Sequence, residues 1–375
     1  FRSAGEADPE RCVKLMGAGL YLHVPFCRRK CPYCNFYSVP AQPELLTAYT
    51  AAVCRNLRHY GNAAQPERVD TVYFGGGTPS LLLPAQIAQI LETAAEQFAL
   101  SADAEITLEA NPATVTPEQL RELRHAGINR LSLGVQSLSD VQLKRLGRLH
   151  TAQEAVETVY AAAEASFRNL SCDLMLALPE QTADELEQTV SRLVQLPITH
   201  VSAYLLKVEQ GTPFAVQHVA ECCPDDDTAA DLYLQAVEQL GAAGFLQYEI
   251  SNFAKAGFES RHNCKYWHCE PYLGIGPSAH SCWNGKRFFV PSAVSDFLEQ
   301  PVQPVETEDE TPCTPEEKLL LGMRLTEGVP ASWLAEKQAA AERYCNLGFL
   351  QKVGERIAFT PKGFLVSNTI LAELI

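Results

Sequence analysis

Tyr21-Leu-His-Val-Pro-Phe-Cys27-Arg-Arg-Lys-Cys31-Pro-Tyr-Cys34 decides the reading of this chain. The short apolar run ending at Val24 reads as a strand, and three cysteines in C-x3-C-x2-C spacing follow it at once. Three thiolates on one tight loop can hold three irons of a [4Fe-4S] cubane, and the fourth iron then stays open to a ligand. Structural zinc usually completes a closed tetrahedron from two separated pairs, whereas this loop has three ligands and no partner pair at a clear spacing. Incidental buried cysteines are the remaining alternative.

Working outward from the loop, short β-branched or aromatic runs alternate with longer segments of helical period, the pattern of βα units. Strands are predicted at 20–24, 71–74, 106–109, 131–135, 170–176 and 201–206. Helical patterns lie between them at 43–60, 84–98, 117–125, 151–165 and 183–193, several with Pro in the first turn. Long helical connections make neighbouring strands parallel, and right-handed crossovers curl the sheet. Polar residues recur just past strand ends, at Gly75 to Thr78, Glu109, Gln136 and Asp173, and barrels carry their chemistry on that rim. The expected fold class is α/β: a partial (β/α)6 TIM-like barrel over 20–220, after an N-terminal tail over 1–19.

The period breaks after Glu209. A segment rich in Gly, His and aromatics occupies 247–283, inside an extension assigned to 221–305 that would face a ligand. Residues 300–314 are rich in Pro and acids and read as a linker. Helices at 315–325 and 331–347, a hairpin at 349–359 and a last helix from 361 suggest a winged-helix-like unit over 306–375. The smaller C-terminal part is thus α+β.

With 375 residues, 46% hydrophobic and 20% charged, the chain reads as globular with material for a large core. A formal charge of -15 argues against nucleic acid as a partner, because backbone contact needs a basic face. Thirteen scattered cysteines fit thiols in a reducing compartment better than a disulfide framework. No apolar run is long enough to span a bilayer, and 1–14 is polar without the apolar core of a signal peptide, so the cytoplasm is expected.

C-x3-C-x2-C with Tyr33 before the third cysteine resembles the radical SAM superfamily. That resemblance implies a cluster on Cys27, Cys31 and Cys34 whose open iron chelates S-adenosylmethionine (SAM). The reduced cluster would cleave SAM to a 5′-deoxyadenosyl radical, which also requires an electron donor. Gly75-Gly76-Gly77-Thr78-Pro79 is similar to the glycine motif of the oxygen-independent coproporphyrinogen III oxidase branch, which contacts the methionine amino group. Glu109, Gln136, Arg148 and Asp173 match SAM-contacting positions of that branch in order and context. Tyr21 matches a tyrosine placed near the sulfonium and is the one catalytic candidate. Taken singly, each has a plainer explanation: a tight turn for the glycines, a solvated strand-end acid for Glu109, a structural hydrogen bond for Asp173.

Two features depart from the oxidase pattern. Phe36 stands where that enzyme carries a further cysteine, and the loop begins already at Cys27. His262-Asn263-Cys264-Lys265-Tyr266-Trp267 instead resembles the signature of the heme chaperone branch of the same family. An imidazole can ligate heme iron, and Tyr and Trp can stack on a porphyrin. His262 as a structural histidine is the plainer reading. Cys264, His268, Cys269, His280 and Cys282 crowd the same segment and offer a metal site instead. His23 reads as structural, and Cys222 and Cys223 receive no role.

The expected function is a heme chaperone that holds the cluster, SAM and heme or another porphyrin, and passes heme to a respiratory acceptor. An acceptor in a membrane would require transient docking there. The alternative is radical decarboxylation of coproporphyrinogen III propionates to vinyls. A winged-helix regulator that senses iron or redox state is a third reading, and the charge speaks against it.

Overall fold

The computed structural model describes residues 17–62 and 64–375. The polar stretch 1–14 and most of the expected tail lie outside the described residues. Six parallel strands form the body of the sheet: β1 (Ala18–Val24), β2 (Arg68–Gly76), β3 (Ala99–Ala110), β4 (Arg130–Gln136), β5 (Asn169–Leu176) and β6 (His200–Leu205). They are hydrogen-bonded in that order, so each helical crossover connects neighbours. The crossover helices start where the sequence codes for it. Pro43, Pro84 and Pro117 occupy first-turn positions that need no N–H, and Thr116, Thr151 and Thr182 accept from amides of the first turn.

Alternate residues of each strand face opposite sides. On one side Leu20, Leu22, Val72, Phe74, Leu131 and Leu133 are fully buried in a single core with the helices. On the other stand Tyr21, Tyr73, Glu109, Arg130, Asp173 and Ser202, which line a cavity. Closed TIM barrels fill their interior with layers of apolar side chains. Here the inner layer is polar and part of the interior is left to a ligand.

The sheet extends further than the sequence suggests. Tyr272–Ile275 pairs in parallel with β1, and Asn252–Ala254 pairs antiparallel with β6, giving an open sheet of twelve strands. Residues 300–314 are not wholly a linker, because Glu306–Asp309 pairs with Lys286–Phe289 at the sheet edge. An edge strand of exposed acids carries no apolar alternation, which explains why the pattern hides it.

The C-terminal helices and a three-stranded sheet, Val329–Pro330 with Arg356–Phe359 and Leu350–Val353, enclose a second core around Met323, Phe359 and Ile370. The single helix expected at 331–347 is a 3-10 turn, Ala331–Lys337, followed by an α-helix, Gln338–Asn346. The last helix likewise divides into Pro361–Leu365 and Ser367–Leu374. Backbone bonds tie this part to the barrel, with Ile250 N donating to Arg324 O at 3.1 Å and Thr326 N to Tyr248 O at 3.0 Å. Among the described residues no helix is long and apolar enough to cross a membrane.

Candidate functional site

The cysteine loop leaves β1 and is pinned to the end of β2, where Gly77 N donates to Val24 O at 2.8 Å. Two of the glycines there answer a steric demand. Gly76 adopts φ +108°, and a Cβ on it would lie 2.8 Å from the His23 ring. A Cβ on Gly77 would lie 2.7 Å from the Phe26 carbonyl oxygen. Both distances are well inside van der Waals contact, so only glycine lets the loop and turn close on each other. Thr78 Oγ1 then reaches Cys27 Sγ at 3.5 Å.

Arg148 closes the other side. Its Nη1 donates to Cys31 Sγ at 3.6 Å and to Tyr33 Oη at 3.5 Å, while Nη2 donates to Gly134 O at 2.7 Å and to Asn111 Oδ1. Asn111 Nδ2 donates onward to Thr78 Oγ1 at 3.1 Å. A continuous polar chain thus runs from Cys31 through Arg148, Asn111 and Thr78 to Cys27. Asn111 was not singled out in the sequence, although it stands two residues after Glu109. A cubane would take each of the three thiolates on a different iron.

Deeper in the cavity, Glu109 Oε1 accepts from Tyr73 Oη at 2.8 Å and Oε2 from Gly76 N at 3.2 Å. Burial, followed by the nearby charge of Asp173, pushes its carboxyl up to about 7 despite those two donors. Burial also raises the Asp173 carboxyl, which accepts from Ser132 Oγ at 3.2 Å. Arg130 supplies the counter-charge. Only 1% exposed, it lies in the field of Glu105, Tyr73, Tyr248 and Asp173, and its Nε and Nη1 have no hydrogen-bond partner. Sequence reasoning missed it, because an arginine at the first residue of a strand looks like loop charge. Gln136 ends β4 in the left-handed region, φ 66°, and lines the same cavity.

Tyr21 Oη lies 3.0 Å from His23 Nδ1. Burial raises the Tyr21 phenol and holds the His23 imidazole down at about 4, so the pair is neutral. The His23 Nε2 is buried without a hydrogen-bond partner.

The His-Asn-x-x-Tyr-Trp stretch forms the helix Arg261–Trp267, and its members separate. Asn263 and Tyr266 line the cavity with the cysteines. His262 does not. It is fully buried, with Nδ1 at 2.8 Å from Thr71 Oγ1 and Nε2 at 2.8 Å from Tyr266 Oη, and it stacks on Tyr73 at 5.1 Å. In this arrangement both nitrogens are engaged and the ring lies outside the cavity, so the structure lends no support to His262 as the axial ligand. Trp267 is likewise turned away, with Arg324 over its ring at 4.5 Å.

The cavity holds about 570 Å³, within the range of sites for a cofactor of SAM's size. Its three thiolates, the acids Glu109 and Asp173 and the unpartnered buried guanidinium nitrogens of Arg130 and Arg148 suit a cluster with a zwitterionic, cationic ligand.

The profile of the radical SAM superfamily matches residues 21–193. The mouse protein named radical S-adenosyl methionine domain-containing protein 1, mitochondrial, is 44% identical over 266 residues, 70% of this chain, which spans 60% of that relative's length. A Mycobacterium tuberculosis protein named heme chaperone HemW is 35% identical over 371 residues, covering 95% of this chain and 94% of its own. In structure, coproporphyrinogen III oxidase (HemN) from Escherichia coli, described as a radical SAM enzyme, superposes with a TM-score of 0.80. That match has 22% identity over 96% of this chain and 90% of the other, and it carries the fold alone. The chain belongs to the radical SAM superfamily, in the family that includes the HemW relatives. Membership implies a [4Fe-4S] cluster and SAM as cofactors.

Proposed function

We propose that this chain is a heme chaperone that holds a [4Fe-4S] cluster and SAM in the barrel mouth, binds heme beside them and passes it to an acceptor hemoprotein. The observation that carries this reading is that Asn263 and Tyr266 open onto the cavity of the cluster cysteines, so the His-Asn-x-x-Tyr-Trp helix belongs to that site. Similarity to a protein named heme chaperone HemW over 95% of the chain supports it further.

The cluster, when bound, supplies an open iron for the amino-acid end of SAM and an electron taken from a donor protein. Cys27, Cys31 and Cys34 are its ligands in this reading. The Gly76 and Gly77 backbone and Thr78 would meet the methionine moiety, and Glu109 would accept from an ammonium or hydroxyl. Gln136, Arg148 and Asp173 complete the polar wall, while Tyr21 and Tyr33 exclude water around the sulfonium. Phe36, 63% exposed, and Tyr204, 42% exposed, present apolar faces at the rim for a porphyrin. Arg29 and Lys30 line the same cavity and would pair with its propionates. No residue is assigned as axial ligand. An acceptor in a respiratory membrane would be reached by transient docking.

Anaerobic incubation of the reconstituted protein with heme, and separately with coproporphyrinogen III, SAM and reductant, tests this reading. Stoichiometric heme binding with transfer to an apo-hemoprotein, and no protoporphyrinogen, is expected. Protoporphyrinogen formed at a catalytic rate would contradict the proposal in favour of the oxidase.

A further inference from the structure

Outside the cavity of the cysteine loop, four chemistry-bearing residues meet where the edge hairpin touches the C-terminal part. Cys269 follows the helix Arg261–Trp267, Cys282 lies on the strand His280–Trp283, Cys313 precedes the helix Pro315–Gly322, and Glu317 stands in that helix's first turn. Ligand atoms of Cys269, Cys313 and Glu317 all lie within 4.8 Å of one another. Cys282 Sγ stands outside that group but lies 3.7 Å from Cys313 Sγ, within a rotamer change of a fourth position. We propose that Cys269, Cys282, Cys313 and Glu317 form a second, thiolate-rich site for a soft divalent cation of the zinc class.

Three observations carry this. The Cys282–Cys313 separation matches the edge of a tetrahedron around zinc, about 3.8 Å for bonds of 2.3 Å, and is far longer than a disulfide bond of about 2.0 Å. The carboxylate is held for ligation, since Cys313 N donates to Glu317 Oε2 at 2.5 Å and Arg287 pairs with Oε1. Such outer partners orient metal ligands, and a disulfide would need none of them. Finally, Cys269 and Cys313 both adopt left-handed backbone, φ 54° and 66°, which side chains other than glycine seldom take unless the surroundings require it.

The ligand set differs from the group the sequence offered. His268 pairs with Glu327 at 3.0 Å, His280 lies 3.6 Å from Glu308, and Cys313 takes their place. Soft thiolates select zinc-like ions over calcium or magnesium. A bound ion would join the end of the helix bearing Asn263 and Tyr266 to the C-terminal core, to which Leu319 of Pro315–Gly322 belongs. The site thus sets how firmly one wall of the cavity is fixed, whatever the cavity binds.

The test uses the full chain with its iron cluster reconstituted, dialysed with zinc and then against a competing chelator. One zinc per chain in addition to undiminished iron is expected, lost in Cys313→Ser and weakened about 10- to 100-fold in Arg287→Gln. In the wild-type chain, which sidesteps misfolded variants, zinc should block alkylation of Cys269, Cys282 and Cys313 but leave the exposed Cys222 reactive. Failure to retain zinc, retention unchanged in Cys313→Ser, entry only at the expense of iron, or a Cys282–Cys313 disulfide formed in the presence of zinc would each overturn the proposal.

Discussion

Arg148 Nη1 lies 3.6 Å from Cys31 Sγ, although 117 residues separate the two in sequence. A cationic donor on a cluster thiolate favours the reduced, more negative state and raises the reduction potential. Arg148→Met should keep the iron content and shift the cluster's midpoint potential to more negative values in a redox titration. A potential that is unchanged or higher would remove Arg148 from the cluster's surroundings.

Glu109 gives the site a pH dependence. With its carboxyl at about 7 in the folded protein, it is half protonated near neutrality, and a cationic ligand selects the carboxylate. SAM affinity should therefore be level above that value and fall about tenfold per pH unit below it. Glu109→Gln should fold, bind SAM weakly and lose this dependence. Calorimetric titration across the range checks it, and an unchanged profile in the variant would assign the titration to another group.

His262 illustrates what spacing cannot disclose. Its burial holds the imidazole down at about 3, against 6.5 when free, so it is neutral in the fold. As pH falls below 6.5 the unfolded chain takes up a proton that the folded chain refuses. The associated stability is complete above 6.5 and is lost as pH falls toward about 3, with a slope of up to about 1.4 kcal/mol per pH unit. His262→Gln should flatten the stability profile in that window. His262→Ala should cost roughly 2–4 kcal/mol in urea unfolding, because it empties a packed site and strands Thr71 and Tyr266. A heme complex whose spectrum changes ligand type while stability holds would restore the axial-ligand role.

Arg130 is the buried counter-charge between Glu105 and the acids of the cavity. Arg130→Leu leaves those carboxyls uncompensated and should cost about 3–5 kcal/mol. Denaturant unfolding of the cluster-free protein measures this directly. A loss below about 1 kcal/mol would mean that solvent already screens the group.

These residues mark the boundary of what the sequence discloses. The six barrel strands and the cysteine loop were legible because both are local: one is a period along the chain, the other a fixed spacing. Glu109 and Gln136 could be placed because each stands at the end of a strand, Asp173 because a carboxylate inside an apolar strand is conspicuous, and Arg148 through the family motif, and all four line one cavity. Arg130 could not, because its meaning comes from Glu105 and Asp173 on neighbouring strands. His262 shares a helix face with Tyr266, one turn on, but its ring is sunk under Tyr266 against Thr71 and Tyr73, and a motif does not tell which of two stacked residues reaches the cavity. Glu306–Asp309 was hidden because a polar edge strand is defined by its partner.

The central claim is that Cys27, Cys31 and Cys34 alone anchor the cluster in the barrel mouth. Iron and sulfide analysis with Mössbauer spectra of the anaerobically reconstituted protein, beside Cys31→Ala, tests it most directly. The wild-type chain should hold about four irons as a [4Fe-4S] cluster with one iron distinguished on adding SAM, and Cys31→Ala should hold none. An undiminished four-iron cluster in Cys31→Ala would contradict the account.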